Sequence, residues 1–370
     1  MKIMSVFGTR PEAIKMCPLV LELEKIPKIE SIVCLTGQHR QMLDQVVEIF
    51  GIHAQYDLEI MRPKQTLTQI TALILEKMQA VLEQEKPDVV LVHGDTTTSF
   101  AVALAAFYQQ IPIGHVEAGL RTYDKFSPFP EEMNRCLTGR IAEYHFAPTE
   151  NNRKNLAKEN ITKNVFVTGN TVIDAFKITV KEKYIFHNET LKKLNYEDRK
   201  CVLVTAHRRE NWGDPLKNIC RAVKRLAERY SDTDFVYPVH MNPVVRETVY
   251  EVLGQTDNIY LIPPVDVEDM HNIMSRSFLV MTDSGGLQEE APSFGVPVLV
   301  LRTETERPEA VEAGTVKVVG VGENEIFEEA VELFEDEAEY HRMAKAVNPY
   351  GDGHACERIV KAILGELENV

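Results

Sequence analysis

FLVMTDSGGLQEEAP, residues 278–292, is the stretch on whose reading the fold turns. It predicts a buried strand over Phe278–Met281, a turn with two glycines, and a helix opening with Gln288, Glu289 and Glu290. A Gly-Gly turn lets backbone approach a ligand closely, because no Cβ stands in the way. The amides that open a helix lack intrahelical partners and carry the positive end of the macrodipole, so they suit a phosphate. Glu290, one turn in, is placed to accept hydrogen bonds from ribose hydroxyls. The stretch therefore suggests a nucleoside diphosphate at a strand end. The bland alternative is an ordinary strand–turn–helix with a solvated acidic first turn.

Outward from this stretch, the pattern repeats. Apolar runs alternate with helical stretches: IMSVF (3–7), SIVCL (31–35), DVVLV (88–92), PIGHV (112–116) and NVFV (164–167). After a gap come CVLV (201–204), DFVYPV (234–239), IYLI (259–262), FLVM (278–281), PVLVL (297–301) and TVKVV (315–319). Continuous β-branched runs suit parallel strands covered on both faces. Their alternation with helices predicts repeated βαβ units. Two such series predict an α/β protein of two Rossmann-like, doubly wound domains. The break lies near 171–200, so the reading places residues 1–170 in an N-terminal domain and 171–352 in a C-terminal one. The tail holds a turn-rich loop and then an amphipathic helix within 353–370.

Chemically capable residues collect where these strands end: Gly8 to Glu12, Gln38 to Arg40, His93 to Asp95, Glu117, His207 to Glu210, His240, and Asp283 with Ser284. Open α/β sheets bind ligands at their carboxyl edge. With two sheets, the expected site is the cleft between them.

The bulk numbers agree with this class. A chain of 370 residues fits two domains at roughly 150 residues each. The net charge of −15 argues against nucleic acid or an anionic membrane as partner. A local pocket of Arg, Lys and His can still hold a diphosphate. Six cysteines are scattered without a C-x-x-C pair, and most read as buried free thiols, as in a reducing compartment. No signal-peptide pattern opens the chain and no apolar run approaches membrane-spanning length, so the expectation is a cytoplasmic protein.

Individual motifs carry competing readings. Thr9 and Glu12 fit a capping box with Pro11 in the first turn, which leaves Arg10 and Lys15 available for a ligand. Asp95 precedes an apolar helix and could simply cap it. Glu117 follows an apolar strand and should be partly buried, so it needs a partner or a purpose. Glu131 and Glu132 open a helix after Pro128-Phe129-Pro130, with Arg135 as an i+4 partner for Glu131. Asp95, Glu117 and Glu131 together make a plausible acid/base cluster, in which repulsion and burial would raise at least one pKa. His207 to Glu210 reads as a positive cluster, with His207 a candidate phosphate contact or a structural histidine. No G-x-x-x-x-G-K-[ST] loop, no G-x-G-x-x-G after the first strand and no metal-ligand spacing occurs, so no cofactor and no metal are expected.

Ten blocks stand in order: GTRPEAIK (8–15), TGQHR (36–40), HGDTTT (93–98), GHVEAGLRT (114–122), PFPEEMNR (128–135), TGNTVID (168–174), TAHRREN (205–211), PVHMNP (238–243), TDSGGLQEEAP (282–292) and TERPEAVEAGT (305–315). In these the chain closely resembles the bacterial non-hydrolysing UDP-N-acetylglucosamine 2-epimerases, over nearly its whole length. The resemblance implies the glycosyltransferase-B architecture, with the C-terminal helix returning to the first domain, and a homodimer. It implies reversible interconversion of UDP-GlcNAc and UDP-ManNAc, supplying ManNAc for cell-surface polysaccharide. The implied route eliminates UDP across C1–C2 to give 2-acetamidoglucal, then adds it back with C2 inverted. Asp95, Glu117 and Glu131 would form the acid/base group, with the C2 base unassigned, and His207 beside them. Arg10, His207, Ser284, Gly285 and Gly286 would hold UDP, Glu290 the ribose, and Lys15 and Arg135 would support.

The resemblance also implies a second, activating UDP-GlcNAc site, for which Gln38, Gln41, Arg208 and His240 match the residue types. Lys64 stands where some members carry Arg, and lysine keeps the charge but loses the bidentate fork. Three rival readings stand beside this one. They are a hydrolysing 2-epimerase that releases ManNAc and UDP, a glycosyltransferase of the same architecture, and a silent nucleotide-sugar sensor.

Overall fold

The structure, a computed structural model, describes residues 1–37 and 40–367; the side chains of residues 40–42 lie outside the description. The chain forms two compact units. One comprises Met1–Ile178 and returns from Tyr350 onward; the other is Thr179–Pro349.

The first unit contains strands β1 (Lys2–Phe7), β2 (Glu30–Leu35), β3 (Tyr56–Asp57), β4 (Val89–His93), β5 (Ile113–Val116), β6 (Tyr144–Ala147) and β7 (Val165–Val167). They form one parallel sheet in the order β3-β2-β1-β4-β5-β6-β7. The second contains β8 (Lys200–Thr205), β9 (Thr233–Pro238), β10 (Ile259–Ile262), β11 (Leu279–Thr282), β12 (Val298–Val300) and β13 (Val316–Val318). These are again all parallel, in the order β10-β9-β8-β11-β12-β13. Each sheet grows first to one side of its opening strand and then to the other. The switch points lie between β1 and β4, and between β8 and β11. At such a point the loops diverge to opposite faces and leave a crevice at the carboxyl ends.

The strands are central because their residues are apolar on both faces. Val90, Leu91 and Val92 of β4, and Val202, Leu203 and Val204 of β8, are wholly inaccessible to solvent. In the first unit, the helices Leu67–Glu85 and Thr97–Tyr108 cover Met4, Val6, Val90 and Val92. In the second, the helix Asp214–Arg229 lays Ile219, Val223 and Leu226 on Val202, Val204, Phe235 and Tyr237.

All eleven apolar runs are strands, with ends within one residue of the reading. β3 and β6 were not anticipated. β3 is two residues long, and β6, Tyr144–Ala147, contains no β-branched residue. The first unit also extends past residue 170. The helix Thr171–Thr179 places Asp174, whose carboxylate accepts hydrogen bonds from the amides of Ala355 (3.1 Å) and Cys356 (3.2 Å). Those amides open the helix Ala355–Ile363, a shorter helix than the 353–370 reading. Lys28 Nζ lies 2.9 Å from Glu366 Oε1, a further tie from the tail to the first unit. Among the described residues, no helix is long and apolar enough to cross a membrane.

Candidate active site

In the first unit, the candidate residues gather at the β1/β4 switch point. Gly8, Thr9 and Glu12 close the turn after β1. The Glu12 carboxylate accepts from the amides of Gly8 (3.0 Å) and Thr9 (2.8 Å), completing the capping box of the helix Arg10–Glu24. Its other oxygen accepts from Thr96 Oγ1 (2.6 Å) and Ser99 Oγ (3.1 Å), which joins that turn to the start of the helix after β4. Arg10 is the first residue of its helix and half-buried.

Glu117 follows β5 in a left-handed conformation with φ of 62°, where a residue other than glycine is uncommon. Lys15 Nζ hydrogen-bonds its carboxylate, and His93 Nε2 lies 3.0 Å from the same oxygen. Burial alone would raise the carboxyl pKa; the charges of Lys15 and His93 outweigh it and hold Glu117 well below the ordinary value. At Glu117 the shift therefore runs opposite to the rise expected for at least one carboxyl of the cluster. For Glu117, cations are the near neighbours.

Asp95 is not the cap of the following helix. Thr96 is, with its hydroxyl accepting from the amide of Ser99 at 3.1 Å. The Asp95 carboxylate is thereby left to Arg135, 2.5 Å away, and the Asp95 carbonyl accepts from Asn134 Nδ2 at 2.9 Å. Arg135 also lies 3.4 Å from Glu132, its i−3 neighbour, and this replaces the expected pair with Glu131. Glu132 is buried and accepts from the amides of Thr122 and Tyr123. Glu131 opens the helix Glu131–Ile141, half-buried. The structure thus joins Lys15 and Glu117 with His93, and Asp95 with Arg135, on adjacent strand ends.

The second unit repeats the plan at β8 and β11. Thr205 and Thr282 are register partners whose hydroxyls lie 2.6 Å apart. Just beyond them, the Asp283 carboxylate is inaccessible to solvent. Its Oδ2 accepts from the amides of His207 (2.8 Å) and Arg208 (2.9 Å) and from Asn211 Nδ2 (3.0 Å). Asp283 therefore shapes the whole loop after β8. The sequence reading placed it at a strand mouth but gave it no task; its position one residue past an apolar run was the available signal.

His207 stacks on His240, ring centroids 5.2 Å apart. Burial pushes its imidazole below the ordinary value; His240 and Arg208 add to that, against the pull of Asp283. Arg208 is engaged with Glu306 at 3.0 Å and Glu210 at 3.8 Å. The loop is therefore less positive than its sequence suggests. The helix Gly285–Glu290 begins at the two glycines, which form its first turn instead of a loop before it. Ser284 takes the extended conformation of the N-cap before them. Glu290 Oε2 lies 3.7 Å from His271 Nε2, and its side chain is largely covered.

Of the residues read as a second site, Lys64 sits in an exposed turn with φ of 58°. His240 Nδ1 accepts from the amide of Asn242 at 3.1 Å. Gln38 and the side chain of Gln41 lie outside the described residues. Among the described residues, His187, Asp266 and Asp269 form one group with metal-ligand character. Its oxygens are already taken. Asp269 accepts from Tyr184, His187 and Asn188, and Asp266 from Asp269 and His187.

The chain is similar to known proteins over nearly its whole length. The sequence model of the UDP-N-acetylglucosamine 2-epimerase family matches residues 21–364. The UDP-N-acetylglucosamine 2-epimerase of Bacillus subtilis (strain 168) is 55% identical, covering 98% of this chain and 95% of its own. That of Escherichia coli (strain K12) is 54% identical, covering 98% of each. A crystal structure of UDP-GlcNAc 2-epimerase from Neisseria meningitidis, bound to UDP-GlcNAc, superposes with a TM-score of 0.89 at 51% identity, covering 99% of this chain and 100% of that one. With the ordered motifs and the two Rossmann-like sheets, these matches show that the chain belongs to the UDP-N-acetylglucosamine 2-epimerase family.

Proposed function

We propose that the chain interconverts UDP-GlcNAc and UDP-ManNAc by elimination and re-addition of UDP, without releasing the free sugar. The observation that carries this reading is the Glu117 carboxylate, ionised between Lys15 and His93, one strand from the Asp95–Arg135 pair. The hydrogen on C2 is not next to a carbonyl, so its direct removal as a carbanion is very costly. Departure of UDP relieves that cost. A carboxylate takes the C2 proton, the C–H pair forms the C1=C2 bond, and the C1–O pair leaves with the diphosphate. The result is 2-acetamidoglucal beside UDP. Return of a proton to the other face of C2 and of the UDP oxygen to C1 gives the epimer.

Asp95, Glu117 and Glu131 share these proton transfers, with His207 assisting the leaving diphosphate. Lys15 keeps Glu117 ionised, and Arg135 aims Asp95. Arg10, Ser284, Gly285 and Gly286 hold the diphosphate, and Glu290 the ribose. No step calls for a metal. The same reading carries a cytoplasmic homodimer that feeds ManNAc to cell-surface polysaccharide. It also carries activation by a second UDP-GlcNAc through Gln38, Gln41, Lys64, Arg208 and His240.

Incubation with UDP-GlcNAc in heavy water, followed by NMR, tests it. The expected result is a second UDP-sugar, with deuterium at C2 throughout the pool. Free ManNAc with UDP would favour the hydrolysing reaction, and full retention of hydrogen at C2 would end the elimination route. The same assay begun from UDP-ManNAc, with and without a trace of UDP-GlcNAc, addresses the activator. Equal initial rates would remove it.

A further inference from the structure

Glu306 lies in the irregular segment between β12 and the helix Pro308–Ala313, and three guanidinium groups converge on it. Arg208 Nη2 is 3.0 Å from its carboxylate, Arg307 Nη1 is 3.8 Å away, and Arg302 hydrogen-bonds it. Burial would raise this carboxyl; Arg307, Arg208 and Arg302 instead hold it down to about 2. Arg302 also reaches Glu210 at 3.0 Å, and Arg307 pairs with Glu289. The six charges balance, three against three. A Cβ added to Gly285 would lie 3.4 Å from both Glu306 Oε1 and Arg307 Nη2, so the carboxylate rests against the residue proposed to meet a phosphate.

We infer that Glu306 is a built-in competitor for the diphosphate: it occupies Arg208, and Arg208 leaves it when a nucleotide binds. The inference rests on the reading of the second unit as the holder of UDP, and it adds Arg208, read above as a contact of the activating nucleotide, to the groups that meet that diphosphate. Two anions cannot both take the same face of one guanidinium. A neutralised cluster also attracts a diphosphate less than one carrying a net positive charge. Replacing the carboxylate by an isosteric amide removes one negative charge while keeping an acceptor in place.

The test is calorimetric titration of the full chain with UDP. Glu306→Gln is expected to bind UDP about fivefold more tightly than the wild type, the size of one partly exposed ion pair. The gain should vanish in the Arg208→Gln background, because the competition acts through Arg208. Unchanged or weaker binding by Glu306→Gln, with its melting temperature retained, would overturn the inference. So would a gain that persists without Arg208. Glu306→Asp keeps the charge but draws it back by one methylene; should the Gln variant not fold, a smaller gain in Glu306→Asp is expected, and no gain overturns the inference. Failure of the wild type to bind UDP at all would instead count against the proposed function.

Discussion

Behind the acidic cluster of the first unit lies a pair of dry imidazoles. His115 on β5 and His145 on β6 are register partners, both buried. His115 Nε2 lies 2.7 Å from the carbonyl oxygen of Gly94, the residue between His93 and Asp95. That hydrogen bond holds the turn from which Asp95 reaches Arg135. Burial pushes His115 down to about 3 and His145 down to about 4, the latter helped by Arg121. Both rings are therefore neutral in the fold but titrate near 6.5 when unfolded. Below that pH the unfolded chain binds protons that the folded chain refuses. Stability is fully present above about pH 7 and falls by about 1.4 kcal/mol per pH unit per ring as pH drops toward 4. Urea unfolding between pH 4 and 8 should show the fall, and His145→Asn should reduce its slope by one proton. An identical slope in the variant would mean that His145 does not titrate as described.

At the scale of elements, the turn from β1 into the helix Arg10–Glu24 is a tight junction of the first unit. A Cβ on Gly8 would meet Thr36 Oγ1 at 1.9 Å and Thr98 Oγ1 at 3.1 Å. Thr36 is wholly buried, so its hydroxyl has little room to move. Gly8→Ala should cost about 1–3 kcal/mol by overpacking, read as a lower denaturation midpoint. Thr36→Ala in the same chain should restore part of the loss, and a double-mutant cycle with no coupling would refute the contact. The capping box here was legible in the sequence, because Thr9 and Glu12 are local and their spacing sets the hydrogen bonds. That Glu12 also binds Thr96 and Ser99 was not legible, since it depends on β4 lying beside β1. β6 was hidden for a related reason: Tyr144–Ala147 is only four residues long with no β-branched side chain, and its place between β5 and β7 depends on strand order.

Over the whole molecule, the chain leaves the first unit after Ile178 and returns at Tyr350. Asp174 anchors that return through the buried amides of Ala355 and Cys356. Asp174→Ala should cost about 1–3 kcal/mol, the desolvation of donors left unpaired, and should raise amide exchange in the helix Ala355–Ile363 before the rest of the unit. Uniform exchange across the unit would show that the tail is not tethered there. The sequence alone determined eleven strands, the parallel sheets and which residues stand at the strand mouths, because apolar runs and turn residues act within a few positions of themselves. Only the tertiary structure decided that Glu117 meets Lys15 and His93, that Asp95 meets Arg135 and not a helix end, and that Asp283 and Glu306 organise the arginine-rich loop. Ion pairs and buried hydrogen bonds depend on distances in space, which strand order sets and residue spacing does not.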